Sequence, residues 1–174
     1  EVARLQVKAG ALGVCTSTIH EAEVMAAAGI KELLITSELV GKNKVERVLR
    51  LAGKQPGTMS VVDNAQQAEH LNEAAAAAKL TLNVLIDIDP IGRRTGILPG
   101  DNAFGLAEKI MKLPQLKLRG VHCYSGASSH VTGFDARHEH SHRVMQAPLE
   151  TFFRMQKAGM PVEIMSGGST GTYN

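Results

Sequence analysis

Tryptophan is absent from this chain, and phenylalanine and tyrosine bring the aromatic fraction to only 3%. Modules that bind RNA or DNA stack bases on aromatic rings and follow the backbone with clustered Lys and Arg. The formal charge is a mere +2 and no basic run is long enough to act as such a footprint, so no nucleic-acid partner is expected. Long apolar runs are missing too. None approaches the ~20 residues of a membrane-spanning helix, and no signal-peptide pattern opens the chain, so no membrane association is expected. Cysteine is scarce. Cys15 and Cys123 lie far apart, each inside an apolar run, and read as two buried thiols of a cytoplasmic protein, although spacing alone does not exclude a disulfide. An initiating methionine is also lacking. The chain opens at Glu1 inside a helical pattern, "EVARLQVKAG", and closes on "MSGGSTGTYN", so both ends are expected to be cut from a longer protein.

What is present alternates. Short runs rich in Val, Ile, Leu and Met read as strands: "LGVCT" from Leu12, "ELLIT" from Glu32, "TMSVVD" from Thr58, "LNVLIDID" from Leu82, "LRGVHCY" from Leu118 and "VEIMSG" from Val162. Their near-continuous apolar character suits parallel strands covered on both faces. Amphipathic segments lie between them. Thr18 with Glu21 forms a capping box ahead of "AEVMAAAG", with Gly29 as a stop, and Asn64 with Gln67 repeats the logic ahead of "AEHLNEAAAAAK". "KVERVLRLAGK", "AFGLAEKIMKL" and "APLETFFRMQKAG" carry apolar residues at helical spacing. Six strand–helix units in a single α/β domain fit either an open doubly wound sheet or part of a (β/α)8 TIM-type barrel, which takes about 250 residues when complete.

In parallel α/β folds chemistry gathers at the carboxyl ends of strands. The fourth strand is followed by "DIDPIGRRTGILPG", with Asp87, Asp89 and the pair Arg93–Arg94. A guanidinium there offers a rigid fork of donors to an anion or polarised oxygen; a solvated loop pair is the alternative. The fifth strand leads into "GVHCYSGASSHVTGF". His122 and Tyr124 share a face of it, and Tyr124 reads as an acid–base or hydrogen-bonding group or as a core cap. His138, His140 and His142 crowd "HEHSH", but neither HExxH nor a closed ligand set appears, so the segment is expected to be the start of a solvent-facing helix. After the sixth strand, "SGGSTGTYN" combines glycines, which let backbone N–H groups approach an anion, with hydroxyl donors. It is neither a Walker loop nor a Rossmann fingerprint, and it reads as a phosphate grip. An unrelated phosphate-binding barrel, an isomerase using Asp87 or Asp89 with His122, is a competing reading, as is a non-catalytic phosphate-binding module.

Taken together, "GVCTSTIHEAEVMAAAGI", "LLITSELVG", "DIDPIGRRTGI", "GVHCYSGASSH" and "SGGSTGTYN" resemble, in order, the D-threonine aldolase and D-serine dehydratase-like family of pyridoxal-phosphate enzymes, which have an alanine-racemase-type (β/α)8 barrel. The resemblance covers essentially the whole chain. It implies that Gly168, Ser169, Thr170, Gly171 and Thr172 hold the cofactor phosphate, that Arg94 meets the ring oxygen, and that Tyr124 lies by the ring. Ser129 or His130 would assist with phosphate or substrate, and Thr16 ends a strand near the site. Ser169 is a mild departure, since a small residue often lies between the family's glycines. The Schiff-base lysine would precede Glu1, Lys8 being a solvated helical residue. The C-terminal β-domain with the ligands of a divalent metal (Mn, Mg or Zn) would follow Asn174. The implied reaction is cleavage of a D-3-hydroxy amino acid to glycine and an aldehyde, with dehydration as the alternative. A small-molecule amino-acid substrate and a homodimer complete the expectation, and this segment alone is expected to be inactive.

Overall fold

A computed structural model describes residues 1–173. Asn174, the last residue of the glycine–hydroxyl stretch, lies outside the described residues. The elements run α1 (Val2–Lys8), β1 (Val14–Thr16), α2 (Ile19–Ala27), β2 (Leu33–Ile35), α3 (Lys42–Lys54), β3 (Thr58–Val62), α4 (Ala65–Ala77), β4 (Leu82–Asp87), α5 (Asp101–Ile110), β5 (Leu116–Tyr124), α6 (Phe134–Lys157) and β6 (Ile164–Gly168). Two 3-10 turns, Gly126–His130 and Thr170–Thr172, follow β5 and β6. All six strands are parallel and stand in sequence order, β1 to β6.

The sheet curls. In a flat sheet, five inter-strand gaps would separate β1 from β6 by about 24 Å at the usual ~4.8 Å spacing. Instead, Cys15 Sγ on β1 lies 4.0 Å from Ser166 Oγ on β6. Only closure toward a barrel brings these edge strands together, and the six βα units form a half-barrel of the expected TIM type. Strand alternation then separates two apolar layers. Leu34, Met59, Val61 and Leu85, with Ile164 packed on them, fill the inside. Leu33, Ile35, Val62, Val84, Ile86 and Val121 face the helices, meeting residues such as Val48, Leu71, Leu106 and Met155.

Local signals explain the helix starts. Thr18 Oγ1 accepts the Glu21 N–H at 3.2 Å while Glu21 Oε2 accepts the Thr18 N–H at 3.1 Å, the reciprocal box legible in the sequence. Asn64 Oδ1 accepts the Gln67 N–H at 2.8 Å, but the Gln67 side chain reaches back to Asp63 N–H rather than to Asn64. The last helix differs from expectation. "HEHSH" and "APLETFFRMQKAG" as far as Lys157 lie on one 24-residue helix that runs through Pro148. Proline removes one helical hydrogen bond, a cost of ~3 kcal/mol or more. The helix continues because Pro148, Thr151, Phe152 and Met155 are buried together on its inner face. Strand boundaries also shift: β5 begins at Leu116 rather than Leu118, and β6 at Ile164 rather than Val162. Cys15, expected to be buried, is exposed at the open edge of the sheet with its sulfur turned in toward Ser166, while Cys123 is buried; both are free thiols.

Candidate functional site at the strand mouths

The loop after β4 is built around two carboxylates. Asp89 accepts the backbone N–H of Ile91 at 3.1 Å and of Arg94 at 2.6 Å, which folds "DPIGRR" back over its own strand. Gly96 N–H donates to Asp63 Oδ2 at 3.3 Å, tying the loop to the end of β3. A side chain at Gly96 is barred twice: its φ is +111°, and a Cβ would lie 2.6 Å from the Asp89 nitrogen. So fixed, the loop sends Arg94 across the sheet. Its Nη1 donates to Asp87 Oδ2 at 3.0 Å, where Thr95 Oγ1 also donates at 3.3 Å, and its guanidinium lies 5.1 Å from the Tyr124 ring centroid. Arg93 makes no such contact among the described residues.

Beneath Arg94 is a buried polar group. Asp87 is fully buried, and its carboxyl is pushed up to about 8, first by burial and then by the adjacent Glu38, with Arg94 opposing both. His122 Nε2 stands 4.0 Å from Asp87 Oδ1, and its Nδ1 is 3.3 Å from Ser166 Oγ. Burial, and secondarily the charge of Arg94, lowers the imidazole to about 4, so His122 is neutral at ordinary pH. Across the barrel, burial of its sulfur raises the Cys15 thiol while Ser166 partly offsets this. Cys123 is pushed up to about 12 by burial and nearby carboxylates and is therefore inert.

The two 3-10 turns meet beside this group. Ser129 Oγ donates to Ser169 Oγ at 2.6 Å, and Ser125 N–H donates to the Gly168 carbonyl at 3.0 Å. Ser169 N–H donates to Thr172 Oγ1 at 2.9 Å, and Thr172 Oγ1 donates to the Ser169 carbonyl at 3.1 Å, which locks the second turn. A Cβ at Gly171 would come within 3.0 Å of Ser129 Oγ, so glycine is what lets the turns approach so closely. Gly168, Ser169, Gly171 and Thr172 are half-buried in this arrangement, while Thr170 is exposed. A groove of about 1150 Å³ lies between α3 and α4, but it shares no residue with the strand mouths and is mainly apolar.

The structure therefore gathers Arg94, Tyr124, Ser129 and Gly168 to Thr172 at one end of the sheet, with Asp87 and His122 below. It does not bring in every candidate. The His130 side chain makes no hydrogen bond among the described residues, and Thr16 is buried on the parity of Val14, which faces the helices. The histidine segment is not wholly solvent-facing: the His138 and His142 rings lie 4.3 Å apart at a tilt of 44°, but His140 turns inward, its Nδ1 3.0 Å from Ser128 Oγ. Every lysine is exposed, and Lys117, on a strand, lies toward the amino end of β5. Glu38 and Ser166 were missed as participants. Both lie inside stretches notable in the sequence, "TSELVG" and "MSGG", but nothing local in either shows that the barrel will fold them onto Asp87 and His122.

Comparison with known proteins agrees with this architecture. A 3-hydroxy-D-aspartate aldolase of Paracoccus denitrificans is 31% identical over 94% of this chain and 42% of its own length. The crystal structure of a D-threonine aldolase from Filomicrobium marinum superposes with a TM-score of 0.90 at 35% identity, covering 98% of this chain and 46% of that one. A D-threo-3-hydroxyaspartate dehydratase from Delftia sp. HT23 gives a TM-score of 0.84 at 26% identity, covering 98% and 45%. The chain thus spans less than half the length of these relatives. The alanine racemase N-terminal domain matches residues 1–174, and this curled sheet with its furnished strand mouths belongs to that family.

Proposed function

We propose that this chain is the cofactor-cradling part of a pyridoxal-phosphate lyase that cleaves D-3-hydroxy amino acids, a D-threonine aldolase in type. The observation that carries the reading is the convergence of Arg94, Tyr124 and the two glycine–hydroxyl turns at one mouth of the half-barrel. The residues suit the cofactor: Gly171 lets the two glycine–hydroxyl turns approach closely, which gathers hydroxyl and backbone groups of the kind a phosphate requires. Gly168, Ser169, Thr170, Gly171 and Thr172, with Ser129, would hold the phosphate. Arg94 would hold the ring oxygen, and Tyr124 would flank the ring. When bound, the cofactor supplies an electron sink for breaking a bond at Cα.

Arg94 is pre-positioned by Asp87 and by the backbone bond to Asp89, so it meets a ligand oxygen without first being ordered. His122 is neutral and buried, and supports the floor of the site as a hydrogen-bond partner of Ser166. In this reading the Schiff-base lysine lies before Glu1 in the full-length protein, and the ligands of a divalent metal lie after Asn174. In this reading the protein is cytoplasmic and the full-length enzyme is a homodimer. Aldolase is preferred to dehydratase because the solved aldolase is the more similar of the two at 35% against 26% identity.

The test adds pyridoxal phosphate to the full-length protein, reduces with borohydride, and maps the modified residue by mass spectrometry. Attachment to a lysine upstream of Glu1 is expected, and no attachment would overturn the cofactor assignment. Assay of D-threonine products then separates the branches: glycine with acetaldehyde for the aldolase, a 2-oxo acid for the dehydratase.

A further inference from the structure

Two buried carboxyl oxygens at the floor of the site have no hydrogen-bond partner: Asp87 Oδ1 and Glu38 Oε1. Buried polar atoms are nearly always satisfied, and leaving one unpaired is costly. The usual remedies fail here. His122 Nε2 is 4.0 Å from Asp87 Oδ1, too far for a hydrogen bond, and Arg94 and Thr95 both donate to the other oxygen, Oδ2. Glu38, in the loop after β2, is within hydrogen-bonding reach of Asp87. Two carboxylates cannot bond to each other, but a carboxylic acid and a carboxylate can. One proton satisfies both orphans.

We infer that Asp87 and Glu38 hold a single proton, which Asp87 Oδ1 donates to Glu38 Oε1, so that Glu38 is a positioning residue that keeps Asp87 a neutral acceptor for Arg94. The charges then balance: one negative charge on the carboxyl pair faces one guanidinium. Were both acids ionised, two negative charges would oppose a single cation in a dry site. The remaining groups around Asp87 fit this account. His122, from β5, is neutral; the Cys123 thiol is protonated; Asp89 and Asp63 spend carboxylate oxygens on the backbone N–H groups of Ile91, Arg94 and Gly96. The consequence concerns Arg94. With a neutral acid rather than a carboxylate on Nη1, the guanidinium keeps its full charge for an anionic oxygen arriving at the mouth. That last point rests on the proposed cofactor reading, whereas the shared proton does not.

Infrared difference spectroscopy on the full-length protein tests it, with aspartate labelled at the side-chain carboxyl with 13C so that cofactor and glutamate carbonyls are set aside. A protonated-carboxyl band that shifts with the aspartate label is expected below pH 7, titrating away around pH 8. In Glu38→Gln the amide can donate to Asp87, so the midpoint should fall and the proton affinity drop at least tenfold. Asp87→Asn should abolish the band. Absence of a label-sensitive band in the native protein, an unmoved midpoint in Glu38→Gln, or persistence of the band in Asp87→Asn would each overturn the inference. Failure to bind pyridoxal phosphate would overturn the cofactor reading and leave this result unaffected.

Discussion

Folding stability should have an uncommon pH profile, set by Asp87 and His122. Asp87 ionises at about 8 in the folded protein against 3.8 as a free side chain. A group whose pKa is raised by folding contributes stability that is fully present below its unfolded value and is lost as pH rises through the folded one. Unfolding therefore releases one proton from Asp87 between about pH 4 and 8. His122 runs the other way. Its value falls from 6.5 to about 4, so the unfolded chain takes up a proton in that range, and stability is lost as pH falls from 6.5 toward 4. Between pH 4 and 6.5 the two slopes cancel. From pH 6.5 to 8 only Asp87 acts, at ~1.4 kcal/mol per unit over about 1.5 units, a loss of ~2 kcal/mol. No large discount for solvent screening applies, because Asp87 is 0% exposed. Urea unfolding at half-unit pH steps reads this directly. The native protein should show a plateau followed by a fall, Asp87→Asn should rise from pH 4 to 6.5 and then stay level, and His122→Gln should fall throughout. A native profile that stays level from pH 6.5 to 8 and matches that of Asp87→Asn would refute the reasoning.

Three further outcomes are expected. Thr172→Val removes both bonds that lock the second turn, and should weaken phosphate retention by ~1–2 kcal/mol, roughly tenfold, in a fluorescence titration with pyridoxal phosphate, while circular dichroism stays native. Arg94→Lys keeps the charge but loses the planar fork over Tyr124 and Asp87; the same titration should weaken by tenfold or more, with little change in fold. Leu85→Ala empties a fully buried position in the small inner cluster and should cost ~2–5 kcal/mol in urea unfolding, since five side chains have little freedom to close the cavity.

The strand–helix rhythm was written locally. Apolar runs of Val, Ile and Leu, the Thr18–Glu21 box and the Asn64 cap each act over a few residues, so all six strands and the starts of α2 and α4 were legible, with strand boundaries off by a residue or two. The glycine–hydroxyl stretch and the Arg94 loop stood out as candidate site material for the same reason: glycine spacing and turn chemistry are properties of neighbours. The span of α6 was not, because a proline inside a helix is tolerated only when the face beneath it is buried, and that burial belongs to α5 and β5. Nor could sequence place His140 against Ser128, or pair Glu38 with Asp87. Those outcomes depend on how far the sheet curls. Curling brings Cys15 to Ser166 across 151 positions, and it also removes Asp87 and His122 from water, shifting both away from their ordinary ionisation. Residue order determined the units and the chemical groups; tertiary closure decided which groups meet and which of them carry charge, because desolvation and proximity exist only once distant strands share one interior.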